Sequence, residues 1–318
     1  MATAALRIVG LLLMLTALAV PLLRAPPRSV ESLVHRWAPP PSEFLDLQGQ
    51  LVHYRDEGPR ADGAPIVLLH GTSASLHTWE GWVRALRGQR RVITLDLPAF
   101  GLTGPFAGAY AGRPYTGREY ARFVLDVLDR LGVQRFVVGG NSLGGEVAWQ
   151  VAAAAPQRVE RLVLVDASGH SFASQSVPLG FRIARLPGFG TLSEWLMPRA
   201  VVVSSLHDVY GDPAKVTDTL VDRYFEMALR EGNRRALAER MQLVGQTPDE
   251  ARIATLTLPT LILWGQRDRL IPPAVAQRFA KDIAGSRLVV FETLGHVPHE
   301  EDPAATVAPV KAFLGLAP

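Results

Sequence analysis

Three kinds of hydrophobic pattern follow one another along the chain. The first is an uninterrupted apolar run, "IVGLLLMLTALAVPLL", from Ile8 to Leu23. The second begins at Phe44, where short apolar runs of strand length alternate with longer amphipathic stretches. "FLDLQGQLVHYRDEG" predicts a hairpin turning near Gly49. "APIVLLHG" is continuously apolar and ends in glycine, the pattern of a strand buried on both faces. "TWEGWVRALRG" then predicts a helix and "RRVITLDLPAFG" a strand. "YTGREYARFVLDVLDRLGV" predicts a long amphipathic helix, opened by a Thr116/Glu119 capping box and stopped at Gly132. "QRFVVGGNS", "LGGEVAWQVAAAAP" and "VERLVLVDAS" continue as strand, helix and strand. Repeated units of this kind predict the α/β class, with a mostly parallel sheet and helices on both faces.

The third pattern interrupts the second. From about Gly169 to about Arg252 no buried strand can be found, and the stretch reads as helical. Its apolar and aromatic residues include Phe172, Phe181, Phe189, Trp195, Leu196, Met197, Tyr210, Tyr224, Phe225 and Met227. By helical spacing most of these are core, and a plain helical subdomain would account for them. A lid over a pocket is the functional alternative, favoured by where the stretch falls in the chain. The alternation resumes with "TLPTLILWGQRDRLIP", "PAVAQRFAKDIAG" and "SRLVVFETLGH", and a last helix lies in "EEDPAATVAPVKAFLG". The organisation expected is therefore an apolar segment (1–24), a proline-rich spacer (25–43) and one large domain (44–318) with the insertion at 169–252.

The first apolar run has 16 residues flanked by Arg7 and Arg24. As a helix it spans roughly 24 Å against a hydrocarbon core of about 30 Å, a gap that snorkelling arginines could close. It is read as an uncleaved membrane anchor. The alternatives are a cleaved export signal, with "ALA" at Ala17–Ala19 as the cleavage site, and a helix lying on a surface.

Composition narrows the rest. The 318 residues are 48% hydrophobic and 20% charged, with a net charge of +3, as for a globular domain with a large core. Only three of the 33 basic residues are lysines, and no basic run interleaves with aromatics, so no nucleic-acid partner is expected. The chain has no cysteine, which excludes disulfides, thiolate metal sites and a cysteine nucleophile.

The chemistry starts at Ser142. It lies in "GNSLG", a G-x-S-x-G turn between a strand and a helix. A serine on so sharp a turn takes strained backbone angles, and Gly140 and Gly144 let the two elements approach closely. A bare motif could equally be a glycine-rich turn with a serine cap, so partners decide. A serine hydroxyl needs a base. His296 follows the last strand, after Gly295, and emerges at the same sheet edge. His35, His53, His77, His170, His207 and His299 have bland positions, with His299 read as surface. Asp268, after "LILWGQR", would orient His296, with Asp166, after "LVLV", as the competitor; Asp268 gives the chain order Ser, Asp, His. Asp96 is assigned to the "DLPAFG" turn. The backbone N–H groups of Thr72 (Ser73 next in line) and Leu143 would bind an oxyanion, with His70 and Gly71 supporting that loop. No metal or organic cofactor is required.

"LLHGTSAS", "DLPAFG", "GNSLGG", "LILWGQRDRLIP" and "GHVPHEEDP" together resemble the ordered motifs of the α/β-hydrolase superfamily. The resemblance covers Phe44 to the C-terminus. It implies a helical cap between strands six and seven, where the insertion falls, and an acyl-enzyme on Ser142. The serine departs from haloalkane dehalogenases and epoxide hydrolases, which carry aspartate there. "GNSLGG" is similar to the serine turn of meta-cleavage-product hydrolases, although Val297 stands where those enzymes often have tryptophan after the histidine. Arg182, Arg185 and Arg199 could bind a substrate carboxylate or be surface charges. The expected function is hydrolysis of carboxylic esters of fairly apolar small molecules. Carbon–carbon hydrolysis and non-catalytic ligand binding on the same fold are the alternatives.

Overall fold

The computed structural model describes residues 7, 10, 11, 14, 23–60, 63–186, 194–245 and 249–318. Eight strands form one sheet: β1 (Ser42–Leu47), β2 (Gln50–Glu57), β3 (Ile66–Leu69), β4 (Val92–Leu95), β5 (Phe136–Asn141), β6 (Val159–Val165), β7 (Thr260–Gly265) and β8 (Arg287–Phe291). Their spatial order is β1-β2-β4-β3-β5-β6-β7-β8. β1 and β2 form the expected hairpin, and β2 is antiparallel to β4. Every other pairing is parallel. The central strands read as unbroken β-branched and aliphatic runs because both faces of the sheet are covered. Alternate residues of β3 show this: Val67 and Leu69 face one core cluster, Ile66 and Leu68 the other.

The helices that cover it are α1 (Val30–Trp37), α2 (Glu80–Leu86), α3 (Gly117–Arg130) and α4 (Leu143–Ala154), then α5 (Leu179–Ala184), α6 (Arg199–Val209), α7 (Asp218–Leu229), α8 (Asn233–Leu243) and α9 (Glu250–Ile253). After β7 come α10 (Ala274–Asp282), α11 (Pro298–Glu301) and α12 (Pro303–Leu314). α3 and α4 pack into one core cluster, with Phe123, Val124, Val147 and Trp149 buried. α2 and α12 pack into the other through Trp82, Leu86, Val307 and Val310. Thr116 caps α3 by accepting the Glu119 N–H, and Gly132 follows its end at φ +69°. α5 to α9 all lie between β6 and β7, in the stretch where the strand pattern lapses.

The strand order reverses at β3: the chain steps outward from β3 to β4 and then crosses back to β5 on the other side of β3. Open parallel sheets bind ligands at the carboxyl ends of their strands beside such a reversal. His70 to Thr72 follow β3 and Ser142 follows β5, so both segments border it.

Two expectations about the N-terminal region change. Among the described residues no helix is long and apolar enough to cross a membrane, which overturns the anchor read over residues 1–24. Most of that run, Ala17–Ala19 included, lies outside the described residues. At 16 residues it is also shorter than the ~20 a span requires. The proline-rich stretch 25–43 is docked instead of acting as a free spacer. Within it α1 buries Leu33 and Trp37 against Leu102 and Met227, and each such side chain contributes about 1.5–3 kcal/mol. The segment before α1 bonds to the inserted stretch: Ala25 N donates to Trp195 O at 2.8 Å, Met197 N to Leu23 O at 3.1 Å and Arg28 N to Leu229 O at 2.7 Å.

Candidate active site

Ser142 occupies the single position between β5 and α4, with φ +54° and ψ −115°. A non-glycine residue is held in that region only by its surroundings. Here Ser142 N donates to Val165 O at 3.1 Å, and Ser142 O accepts from Glu146 N and Ser168 N at 3.0 Å each. The flanking glycines make room for the turn. A Cβ on Gly140 would lie 2.1 Å from Gly144 O, and one on Gly144 would lie 2.0 Å from Leu69 O.

His296 lies in the loop between β8 and α11 and is 4% exposed. Its Nδ1 is 2.7 Å from Asp268 Oδ2. The other oxygen, Asp268 Oδ1, accepts from Leu270 N at 2.8 Å and Ile271 N at 2.9 Å. With Nδ1 directed at the carboxylate, His296 is left with Nε2 as its proton acceptor. Asp166, the competitor, bonds elsewhere: its Oδ1 accepts from Gly265 N at 3.0 Å. Complete burial, and after it repulsion from Asp268, push the Asp166 carboxyl well above the usual carboxylate range. Asp166, Asp268 and His296 have donor atoms within 4.8 Å of one another, close enough in principle for a metal ion. Asp268 is already occupied by three N–H groups and Asp166 favours its neutral form, so the cluster suits proton handling better than cation binding.

The loop after β3 faces the serine turn. A Cβ on Gly71 would lie 2.8 Å from Asn141 Oδ1 and 3.2 Å from Ser142 Cβ, so only glycine passes there without displacement. His70 is fully buried, with Nδ1 2.7 Å from Gly71 O and Nε2 accepting Leu97 N at 2.9 Å. Burial lowers its pKa. Thr72 and Ser73 line the cavity above Ser142, and Ser73 has φ +60°. Leu143 starts α4, so its N–H has no acceptor within the helix.

Ser142 and His296 line one cavity of about 180 Å³. Its walls are mostly apolar and come largely from the inserted segment, including Phe181, Leu196, Met197, Val201 and Leu237. Other aromatic residues of the insertion do not follow the core expectation: Phe172 is 40% and Trp195 51% exposed. Phe189 lies outside the described residues. Arg182 and Arg185 are exposed, and Arg199 pairs with Asp218 and Asp222. None of the three lines the cavity; the cation that does is Arg234.

Three further side chains shape the site without any local sequence signal of their own. Asn141 Nδ2 donates to His296 O at 2.9 Å. Glu301 accepts from Gly295 N, Gly211 N and Asp212 N, each at 2.9 Å, and His296 N donates to Val209 O at 2.7 Å. The histidine loop is thereby fastened to the end of α6. His299 is not a surface residue. It is 1% exposed, with its ring centroid 4.0 Å from that of Trp79. The proline-led turn of α11 faces inward onto α2 and the turn before it, a long-range contact that local polarity cannot reveal. Asp96 accepts from Leu76 N, Leu102 N and His53, fixing the turn that begins with it.

Known proteins agree with this architecture. An uncharacterized protein of Mycobacterium tuberculosis is 30% identical over 293 residues, covering 87% of this chain and 82% of its own. A 2-hydroxymuconate semialdehyde hydrolase of a Pseudomonas species is 29% identical over 269 residues, covering 80% and 88%. The crystal structure of a bacterial membrane phospholipase A superposes with a TM-score of 0.72 at 24% identity, covering 99% of this chain and 98% of that one. The family model for the alpha/beta hydrolase fold matches residues 64–303, from before β3 to the start of α12. The chain belongs to the α/β-hydrolase superfamily.

Proposed function

We propose that the protein is a serine hydrolase that cleaves carboxylic esters of small, largely apolar substrates. Ser142 Oγ attacks the ester carbonyl while His296 Nε2 takes its proton, and Asp268 orients the imidazole and stabilises its charged form. The N–H groups of Leu143 and Thr72 receive the oxyanion, where one such donor is typically worth about 3 kcal/mol. Collapse of the adduct passes the proton from His296 to the departing alkoxide and leaves an acyl group on Ser142. Water, deprotonated by His296, then frees the acid and returns the proton to Ser142. Residues 169–252 act as the cap that shapes the cavity, and His70, Gly71, Gly140 and Gly144 hold the backbone around it.

The observation that carries this reading is the 2.7 Å contact between His296 and Asp268 in the cavity that the strained Ser142 also lines. Ser142→Ala should abolish both fluorophosphonate labelling and short-chain ester hydrolysis; survival of either overturns the reading.

The second reading is hydrolysis of a carbon–carbon bond in a ring-cleavage product. It is supported by the likeness to 2-hydroxymuconate semialdehyde hydrolase and by a cation, Arg234, in the cavity. Loss of dienoate absorbance on mixing would support it, and no turnover across several such substrates would remove it.

A further inference from the structure

Among the described residues, three arginines expose less than a tenth of their surface: Arg55, Arg234 and Arg240. Two have carboxylate partners. Arg55 meets Glu80 at 2.8 Å and Arg240 meets Glu146 at 3.0 Å. Arg234 does not. Its Nη1 donates to Ala25 O at 2.7 Å and its Nη2 to Glu194 O, both of them backbone carbonyls. Among the described residues no carboxylate oxygen lies within ion-pair distance of it. Burial lowers its pKa to about 10, which still leaves a full positive charge at neutral pH. Buried charges are normally matched by an opposite charge, because neutral acceptors return only part of the hydration lost.

This cation lines the cavity that holds Ser142 and His296, and also a smaller hollow that continues from it past Ala74, Phe100 and Leu237. The rest of the lining is mostly aliphatic and aromatic. Glu194 is the one charge that acts attractively on Arg234, without forming an ion pair with it. An apolar wall with one fixed cation that has no ion-pair partner suits an amphiphilic anion better than a neutral ester, which would leave that cation unpaired. We propose that the substrate carries an anionic group, carboxylate or phosphate, besides its scissile acyl bond, and that Arg234 is the residue that recognises it. The proposal rests on the serine-hydrolase reading of the same cavity. Arg234 would bind the anion by charge-assisted hydrogen bonds while its two carbonyl partners hold the guanidinium in place.

The test is a matched set of chromogenic esters with acyl chains of equal length, ending in methyl, carboxylate or phosphate. The full-length protein should favour an anionic terminus, and added salt should reduce that preference. In Arg234→Met the ratio of kcat/KM for the anionic ester to that for the methyl ester should fall ten- to hundredfold, through KM. Arg234→Lys should restore part of it. The better of the two anionic arms identifies the source of the charge. A wild-type enzyme that hydrolyses the methyl ester as well as both anionic ones overturns the proposal, whether or not the variants fold. Equal losses on all three esters in a folded Arg234→Met also overturn it, and make Arg234 a clamp between Ala25 and the inserted helices. Hydrolysis of none of the esters, or hydrolysis that persists in Ser142→Ala, would instead refute the serine-hydrolase reading itself.

Discussion

The side-chain amide of Asn141 donates a 2.9 Å hydrogen bond to the backbone carbonyl of His296, across 155 residues of sequence. The residue before the proposed nucleophile thus holds the loop that carries the proposed base. A second bond from the same amide, 3.2 Å to Val165 O, ties both to the end of β6.

Replacing Asn141 by leucine keeps the volume and removes the donor. The His296 carbonyl then loses its partner in a buried site, which costs about 1–3 kcal/mol. Where that cost falls on the transition state, kcat/KM drops roughly tenfold or more, and fluorophosphonate labelling slows in parallel. Unchanged labelling in a folded Asn141→Leu would show that the bond does not position the histidine.

The two buried aspartates should separate cleanly. Asp268→Asn removes the acceptor at His296 Nδ1 and favours the wrong tautomer, for a loss of roughly 10³- to 10⁴-fold in kcat. Asp166→Asn keeps an oxygen for Gly265 N and should cost far less activity. Its effect lies in stability. Folded Asp166 keeps a proton that the unfolded chain loses near pH 4, so stability falls as pH rises above that value. Asparagine removes this dependence. The stability difference between Asp166→Asn and wild type should therefore grow in favour of the variant from pH 5 to pH 8, by urea denaturation. Parallel curves would count against a neutral Asp166.

His299 works on the acid side. Burial, and after it the neighbouring His296 and His70, lower its pKa from 6.5 to about 3. Between those values the unfolded chain takes up a proton that the folded one refuses, so stability falls as the pH falls, by about 2 kcal/mol at pH 5. His299→Phe keeps a ring against Trp79 and should shift the acid denaturation midpoint downward. A midpoint that stays in place would place the acid sensitivity on other groups.

What could be read from sequence follows the sheet. Ser142, Asp268 and His296 all stand just beyond strand ends, and parallel strands bring such positions to one edge whatever lies between them. The α/β class and the helical interruption were legible for the same reason, since burial on both faces and helical spacing are written locally. Arg234 was not. In "GNRRALAER" it looks like any helix charge, and only the fold shows that Arg235 faces water while Arg234 faces the cavity. His299 and α1 were misjudged because their partners, Trp79, Leu102 and Met227, are tens to hundreds of residues away. The apolar N-terminal run shows the converse error: hydropathy alone suggested an element for which the described residues provide no spanning helix.

The segment before α1 has a consequence in time. Ala25 and Arg28 leave the ribosome before their partners, Trp195 and Leu229. At about 5–20 residues per second those partners follow roughly 10–40 s later. Until Arg234 follows them, the Ala25 carbonyl lacks the guanidinium that it meets in the finished fold. Contacts of such sequence separation also carry a large loop-closure entropy, which slows their formation. The rim of the cavity is therefore completed only after β3 and β5 have become able to pair.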